Sequence, residues 1–266
     1  MKSNRTIRWG HRAAGLALGL GLMIGGFARP AAAVPPPERD WDLSVNMYGW
    51  LTEARLSVQG NVEGGYPGQK FTQYFNDDLI DAFNDWDGGG GGDIAFRYHR
   101  FVGRLEGAWV QTEFDNDGWL TNSFADAKFG FRVLDIRRPW SGDESMANAP
   151  RASVDLLVGA RYRYMDNDVD VPNLVRDTRQ DWVDGIIGIS SSVGLFPNLT
   201  LEMVADVGGF NIGSSSQLTY NLNPRLNYRA FDHFNIFVGY KHLKDEREGA
   251  KDVTLSGPQA GIGYSF

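Results

Sequence analysis

The end of the chain constrains the fold most tightly. Ala260, Ile262, Tyr264 and Phe266 alternate with Gly261, Gly263 and Ser265, and Phe266 is the last residue. Side chains two apart on a strand share a face, so this segment has one apolar face and one face of small or polar residues. A strand in water turns its apolar face to a core. A strand in a bilayer turns it to lipid, and must then close into a barrel, because no backbone polar group can be left unpaired there. The same alternation recurs along the chain.

Leu43, Val45, Met47, Gly49 and Leu51 oppose Ser44, Asn46, Tyr48 and Trp50. Ile94, Phe96 and Tyr98 oppose Ala95, Arg97 and His99. Further strands carry Leu105, Gly107 and Trp109, then Ala127, Phe129, Phe131 and Val133, then Val154 to Tyr164 at alternate positions. Val183, Gly185, Ile187 and Ile189 begin the next. Leu199 to Val207, Leu218 to Tyr228 (with Pro224 awkwardly placed mid-strand), Phe234 to Tyr240 and the C-terminal strand complete the set. The spacing predicts an all-β, antiparallel, up-and-down transmembrane barrel of about ten strands. Eight follow if one weak pair is misread, and twelve if residues 55–75 form a hairpin of their own. Short turns at His99-Arg100, Phe196-Asn198 and Phe231-His233 alternate with longer polar connections, the pattern of periplasmic turns and outer loops. Trp41, Trp119, Trp140 and Trp182 fall near strand ends, where interfacial girdles form. A short amphipathic helix is predicted at residues 76–85 of the first outer loop, N-capped by Asn76 or Asp77, followed by the glycines 88–92.

The N-terminus has the composition of a secretory signal. Lys2, Arg5, Arg8 and Arg12 precede the apolar run 13–27, and Ala31 and Ala33 offer a small-residue cleavage site. We therefore expect a signal peptide over 1–33 and a barrel over 34–266. The first segment holds five of the 26 Lys and Arg and none of the 33 Asp and Glu. The remaining chain is strongly acidic, which disfavours nucleic acid as a partner. There is no cysteine, hence no disulfide and no lipid-modified cysteine.

If the apolar faces meet lipid, the opposite faces line the interior. That predicts Arg97, Arg104, Glu106, Lys128, Arg132, Asp155, Arg161, Arg163, Glu202, Asp206, Arg225 and Arg229 as lumen-lining residues, with Asp126, Asp184 and Lys241 on the same parity. Two arrangements follow. Either the charges pair and fill a narrow interior, or an excess of Arg lines a narrow pore.

The ending Ile262, Tyr264, Phe266 resembles the C-terminal signature of bacterial outer-membrane barrels, which implies recognition by the barrel-assembly machinery. Further segments extend the likeness: W-x-L…Y-x-W-L at 41–51, V-G-A-R-Y at 158–162, D-W-V-D-G-I-I-G at 181–188, D-V-G-G-F at 206–210, G-Y-K-H-L at 239–243 and L-S-G-P-x-x-G-I-G at 255–263. Together they resemble a family of largely uncharacterised, porin-like small outer-membrane barrels of Gram-negative bacteria. The resemblance implies fold and compartment, with outer-membrane lipid and lipopolysaccharide as surroundings, and no particular substrate or oligomeric state.

Catalysis is not expected from the sequence. Barrel enzymes cluster His with Ser, Asp or Glu, whereas His99 and His233 fall at turns and His242 on the lipid-facing parity, and there is no G-x-S-x-G motif. No cofactor is expected. The acidic stretches 115–117 and 166–170 could share a cation, but neither completes a calcium loop, and no metal is expected. The functional expectation is a structural or narrow porin-like barrel for small solutes. The alternative is surface binding through the acidic outer loops, and a barrel enzyme acting on envelope lipid is the remotest reading.

Overall fold

The computed structural model describes residues 40–59, 70–75, 88–113, 119–137, 150–168, 179–247 and 251–266. The expected signal peptide with Ala31 and Ala33, the helix at 76–85, and Trp140 lie outside these residues. The described residues form twelve strands: β1 (Trp41–Leu51), β2 (Glu53–Gln59), β3 (Lys70–Phe75), β4 (Gly88–Tyr98), β5 (Phe101–Glu113), β6 (Trp119–Arg137), β7 (Pro150–Asp168), β8 (Gln180–Phe196), β9 (Leu199–Gly209), β10 (Leu218–Arg229), β11 (Phe234–Glu246) and β12 (Lys251–Ser265). No helix is present among them.

Ten strands close the ring. β1 pairs with β4, successive strands pair antiparallel from β4 to β12, and β12 returns to β1 through Ser265↔Ser44 to Gln259↔Trp50. The remaining two extend one wall. β2 continues β1 beyond Thr52 in unchanged register, with Glu53 opposite Ser256 just as Trp50 is opposite Gln259. The interruption lies across from Pro258, which has no N–H to give the ladder. β3 pairs with β2 alone. The hairpin suspected at 55–75 is therefore real, yet the barrel keeps ten strands. Pro224 is absorbed in the same way. The β10–β11 ladder skips from Leu222↔His242 to Arg225↔Gly239, while the β9 side stays paired through Pro224↔Met203.

The tight turns share one end with Asp40 and Phe266. His99 takes φ 51° at the β4–β5 turn and its N–H donates to Asp40 O at 2.7 Å. Phe266 N–H donates to Leu43 O at 2.9 Å, tying the last residue to β1. A bulge in β6 between Arg132 and Leu134 bends that strand near the same end.

Large apolar side chains stay exposed around the wall, among them Met47 at 67%, with Leu105, Phe129, Leu156, Val158, Ile187, Leu201, Val238 and Ile262. In water so continuous a patch would drive aggregation; against lipid it is the outward, lipid-facing surface of a membrane barrel. Trp41, Tyr98, Phe101, Phe131, Tyr228, Phe231, Tyr264 and Phe266 ring the turn end, and Trp109, Tyr162 and Tyr240 stand on the outer half. One girdle residue is reassigned. Trp182 is only 3% exposed and points inward. Its neighbours Asp181 and Val183 take the outer parity, so proximity to a strand end misleads unless parity is also read.

Candidate functional site

The inward faces stack in three tiers. Toward the long connections, Trp50, Val110, Phe124, Met165, Leu243, Val253 and Leu255 form an apolar cap. Toward the turns, small and polar groups such as Ser44, Gly130, Ser190 and Ser192 are half-buried. Between them, and reaching into the cap at Arg163 and Asp245, lies a layer of charge.

Five cations in this layer, Lys128, Arg161, Arg163, Arg225 and Lys241, meet five carboxylates, Asp93, Glu106, Asp126, Asp206 and Asp245; all ten are buried. Arg161, 0% exposed, gives Nε and Nη2 to the two oxygens of Asp126 at 2.8 Å each, Nη2 again to Asp206 at 2.8 Å, and Nη1 to Thr219 Oγ1 at 3.1 Å. Such forked pairing is the strong form of an Arg–carboxylate bond. Lys128 donates to Asp206 at 2.7 Å and lies 2.9 Å from Asp126. Lys241 donates to Glu106, which also accepts from Tyr48 Oη at 2.9 Å and lies 3.6 Å from Arg225. Arg225 donates to Asp93, whose other oxygen accepts from Asn46 at 2.9 Å. Thr219 relays from Arg161 to Asp245 at 2.6 Å, and Asp245 faces Arg163 at 2.6 Å.

Aromatic rings complete the layer. Lys241 Nζ lies 4.6 Å from the Phe124 ring centroid and Arg225 lies 4.9 Å from that of Phe237. Cations desolvated against ring faces gain quadrupole attraction in place of water. The contacts also cross the lumen. β11 reaches β5 through Lys241–Glu106, and β10 reaches β4 through Arg225–Asp93; in the ring order each pair is four strands apart. Lys128–Asp206 and Arg161–Thr219 span three.

Of the predicted interior residues, Glu106, Lys128, Arg161, Arg163, Asp206 and Arg225 meet in this layer. Arg132 and Asp155 form a separate pair at 2.7 Å nearer the turns. Arg97 pairs with Asp42 at the rim, Arg104 and Glu202 are half-buried in the lower tier, and Arg229 is exposed. Ile262, Tyr264 and Phe266 all face outward, with Tyr264 and Phe266 rings 4.8 Å apart. Sequence reasoning missed Asp93, Thr219 and Asp245, and it missed the apolar cap. Parity alone would have found Asp93, two residues before Ala95. Asp245 lies beyond Tyr240, where the apolar alternation ends in the sequence, although β11 runs to Glu246.

Of the acidic stretches, 115–117 lies outside the described residues, and Asp166 accepts from Tyr164 Oη at 3.0 Å. His99 and His233 are exposed at turns, and His242 stacks on Tyr220 with centroids 5.5 Å apart.

No protein-family model and no curated protein matches the sequence. Solved structures do match. The outer membrane protease OmpT of Escherichia coli shares 12% identity over 85% of this chain and 96% of its own, with a TM-score of 0.51. Ail, the attachment invasion locus protein of Yersinia pestis, solved with the heparin analogue sucrose octasulfate, shares 12% over 85% and 99%, at 0.34. Neisserial surface protein A shares 10% over 86% and 98%, at 0.35. The OmpT likeness corrects one expectation. The sequence reading excluded catalysis on missing motifs, yet the barrel is similar to that of a protease, so the fold does not support that exclusion and the question of catalysis is open. Fold, exposed apolar wall and structural likeness together place the chain among the β-barrels of the bacterial outer membrane.

Proposed function

We propose that the protein is a closed barrel whose lumen does not conduct and whose role is exercised at its outer rim. One observation carries this reading: the charge layer bridges walls four strands apart with buried, mutually neutralising partners. An ion entering the lumen would have to displace a paired group at each step, and breaking a buried pair is costly. A ten-stranded barrel is also narrow enough for its own side chains to fill. The apolar side chains of the cap narrow the passage beyond this layer.

The test is conductance of the refolded protein in a planar bilayer, with folding verified by heat-dependent gel mobility. Silence from folded protein is expected. Discrete, reproducible steps would refute a closed lumen.

A further inference from the structure

The connection between β9 and β10 is built unlike a loop in water. From Val207 to Pro224 the chain has no charged residue, whereas 22% of the whole chain is charged. The other connections at this end all contain acids, such as Glu63, Asp77, Asp115, Asp170 and Glu248.

Its polar side is turned in and bonded. Ser216, fully buried, gives its N–H to Asp184 Oδ1 at 2.6 Å and its hydroxyl to Asp184 Oδ2 at 2.9 Å. Trp182 Nε1 donates to Ser216 Oγ at 2.9 Å and to Asp184 Oδ2 at 3.0 Å. Ser215 Oγ accepts from Ile212 N–H at 2.7 Å and donates to Gly209 O at 2.7 Å. Arg247 stacks 4.3 Å over Trp182 and donates to Ser214 O at 3.4 Å.

Its apolar side is turned out. Phe210 is 50% exposed and Ile212 74%. Phe210 and Asn211 take φ of 60° and 55°, a region costly for a bulky side chain. Such a backbone persists only where its surroundings over-determine it; here the Asp184–Ser216 anchor and the Ser215 bridge do so. The outcome is a segment that holds Ser215 and Ser216 inward and turns Phe210 and Ile212 out, beside the exposed Asn211, Ser214 and Gln217. Phe210 and Ile212 lie just beyond the end of β9, whose lipid-facing row is Leu201, Met203, Ala205 and Val207, and the left-handed backbone from Gly209 to Asn211 ends the strand alternation there.

We propose that residues 210–217 form a membrane-anchoring finger that lays Phe210 and Ile212 among the acyl chains of the outer leaflet. The finger fixes how deep this side of the barrel sits. Interfacial aromatic and aliphatic groups anchor membrane proteins by the same burial of apolar area.

The absence of cysteine makes the test direct. Single variants Ile212→Cys, Phe210→Cys, Ser214→Cys and Met47→Cys are labelled with an environment-sensitive fluorophore and refolded into phosphatidylcholine vesicles. Quenching is then compared between doxyl-labelled phosphatidylcholine in the bilayer and iodide in the buffer. Met47, on the wall, is the lipid reference, and Ser214, exposed on the same loop, is the aqueous one. Lipid quenching at Ile212 and Phe210 matching Met47, with Ser214 quenched by iodide, is expected. Iodide quenching at Ile212 and Phe210 equal to that at Ser214 would overturn the proposal. So would shielding from both quenchers, which would indicate a protein contact. Should Phe210→Cys fail to fold, Ile212→Cys carries the test.

Discussion

Lys241→Met tests the charge layer most sharply. Lys241 is fully buried, its carboxylate partner among the described residues is Glu106, and its ammonium lies over the rings of Trp50 and Phe124. Methionine fills similar space but removes the charge. Glu106 then keeps the Tyr48 hydroxyl at 2.9 Å and only the more distant Arg225 at 3.6 Å. Stranding one member of a buried pair costs about 3–5 kcal/mol, or roughly two to four decades in the folding equilibrium. The double variant Lys241→Met, Glu106→Gln removes both charges and keeps the amide within reach of Tyr48. It should recover to within about 1 kcal/mol of the parent, since a buried pair is often neutral against uncharged replacements. The assay is urea unfolding of the vesicle-refolded barrel, followed by tryptophan fluorescence and heat-dependent gel mobility. A single variant costing under about 1 kcal/mol would be behaving as a solvated surface pair. The layer would then be hydrated, and the argument for a closed lumen would fail with it.

Three further outcomes are expected. Asp184→Ala removes the acceptor of the Ser216 N–H, the Ser216 hydroxyl and the Trp182 N–H; it should cost about 1–3 kcal/mol and speed protease cleavage within 210–217, and unchanged cleavage would refute the anchor. Gly257→Ala would place a Cβ 1.8 Å from the Leu51 carbonyl oxygen. Because backbone, not a side chain, must yield, we expect a loss of about 1–3 kcal/mol and a smaller folded fraction by gel mobility; a normal folded fraction counts against the close approach. Deleting Phe266 removes one hydrogen bond to Leu43 and an exposed ring; we expect less assembled protein in cells with refolding of purified protein unchanged, and equal cellular amounts would remove the assembly role.

The barrel wall was legible because lipid and lumen impose opposite demands on adjacent residues. Val154 to Tyr164 at alternate positions oppose Asp155, Gly159, Arg161 and Arg163, with Leu157 an apolar exception on the inner face, so parity alone oriented β7. Parity failed where another cue overruled it. Trp182 was assigned to a girdle by its place near a strand end, although Val183 beside it already claimed the lipid. The partners of each inner charge were not legible at all. Glu106 meets Lys241 across 135 residues of sequence, and nothing local distinguishes that carboxylate from Asp155, which pairs with the nearer Arg132. Closure decides it: register and ring order bring β5 and β11 to face each other, and a sequence read one strand at a time has no term for the opposite wall. The β9–β10 connection was hidden for a different reason. Its signal is the absence of charge, and an uncharged Gly- and Ser-rich stretch reads as an ordinary turn until Asp184 is seen holding its polar side inward. The same inversion that makes a strand lipid-facing can therefore operate in a loop, provided a buried carboxylate supplies the acceptor that water would otherwise be.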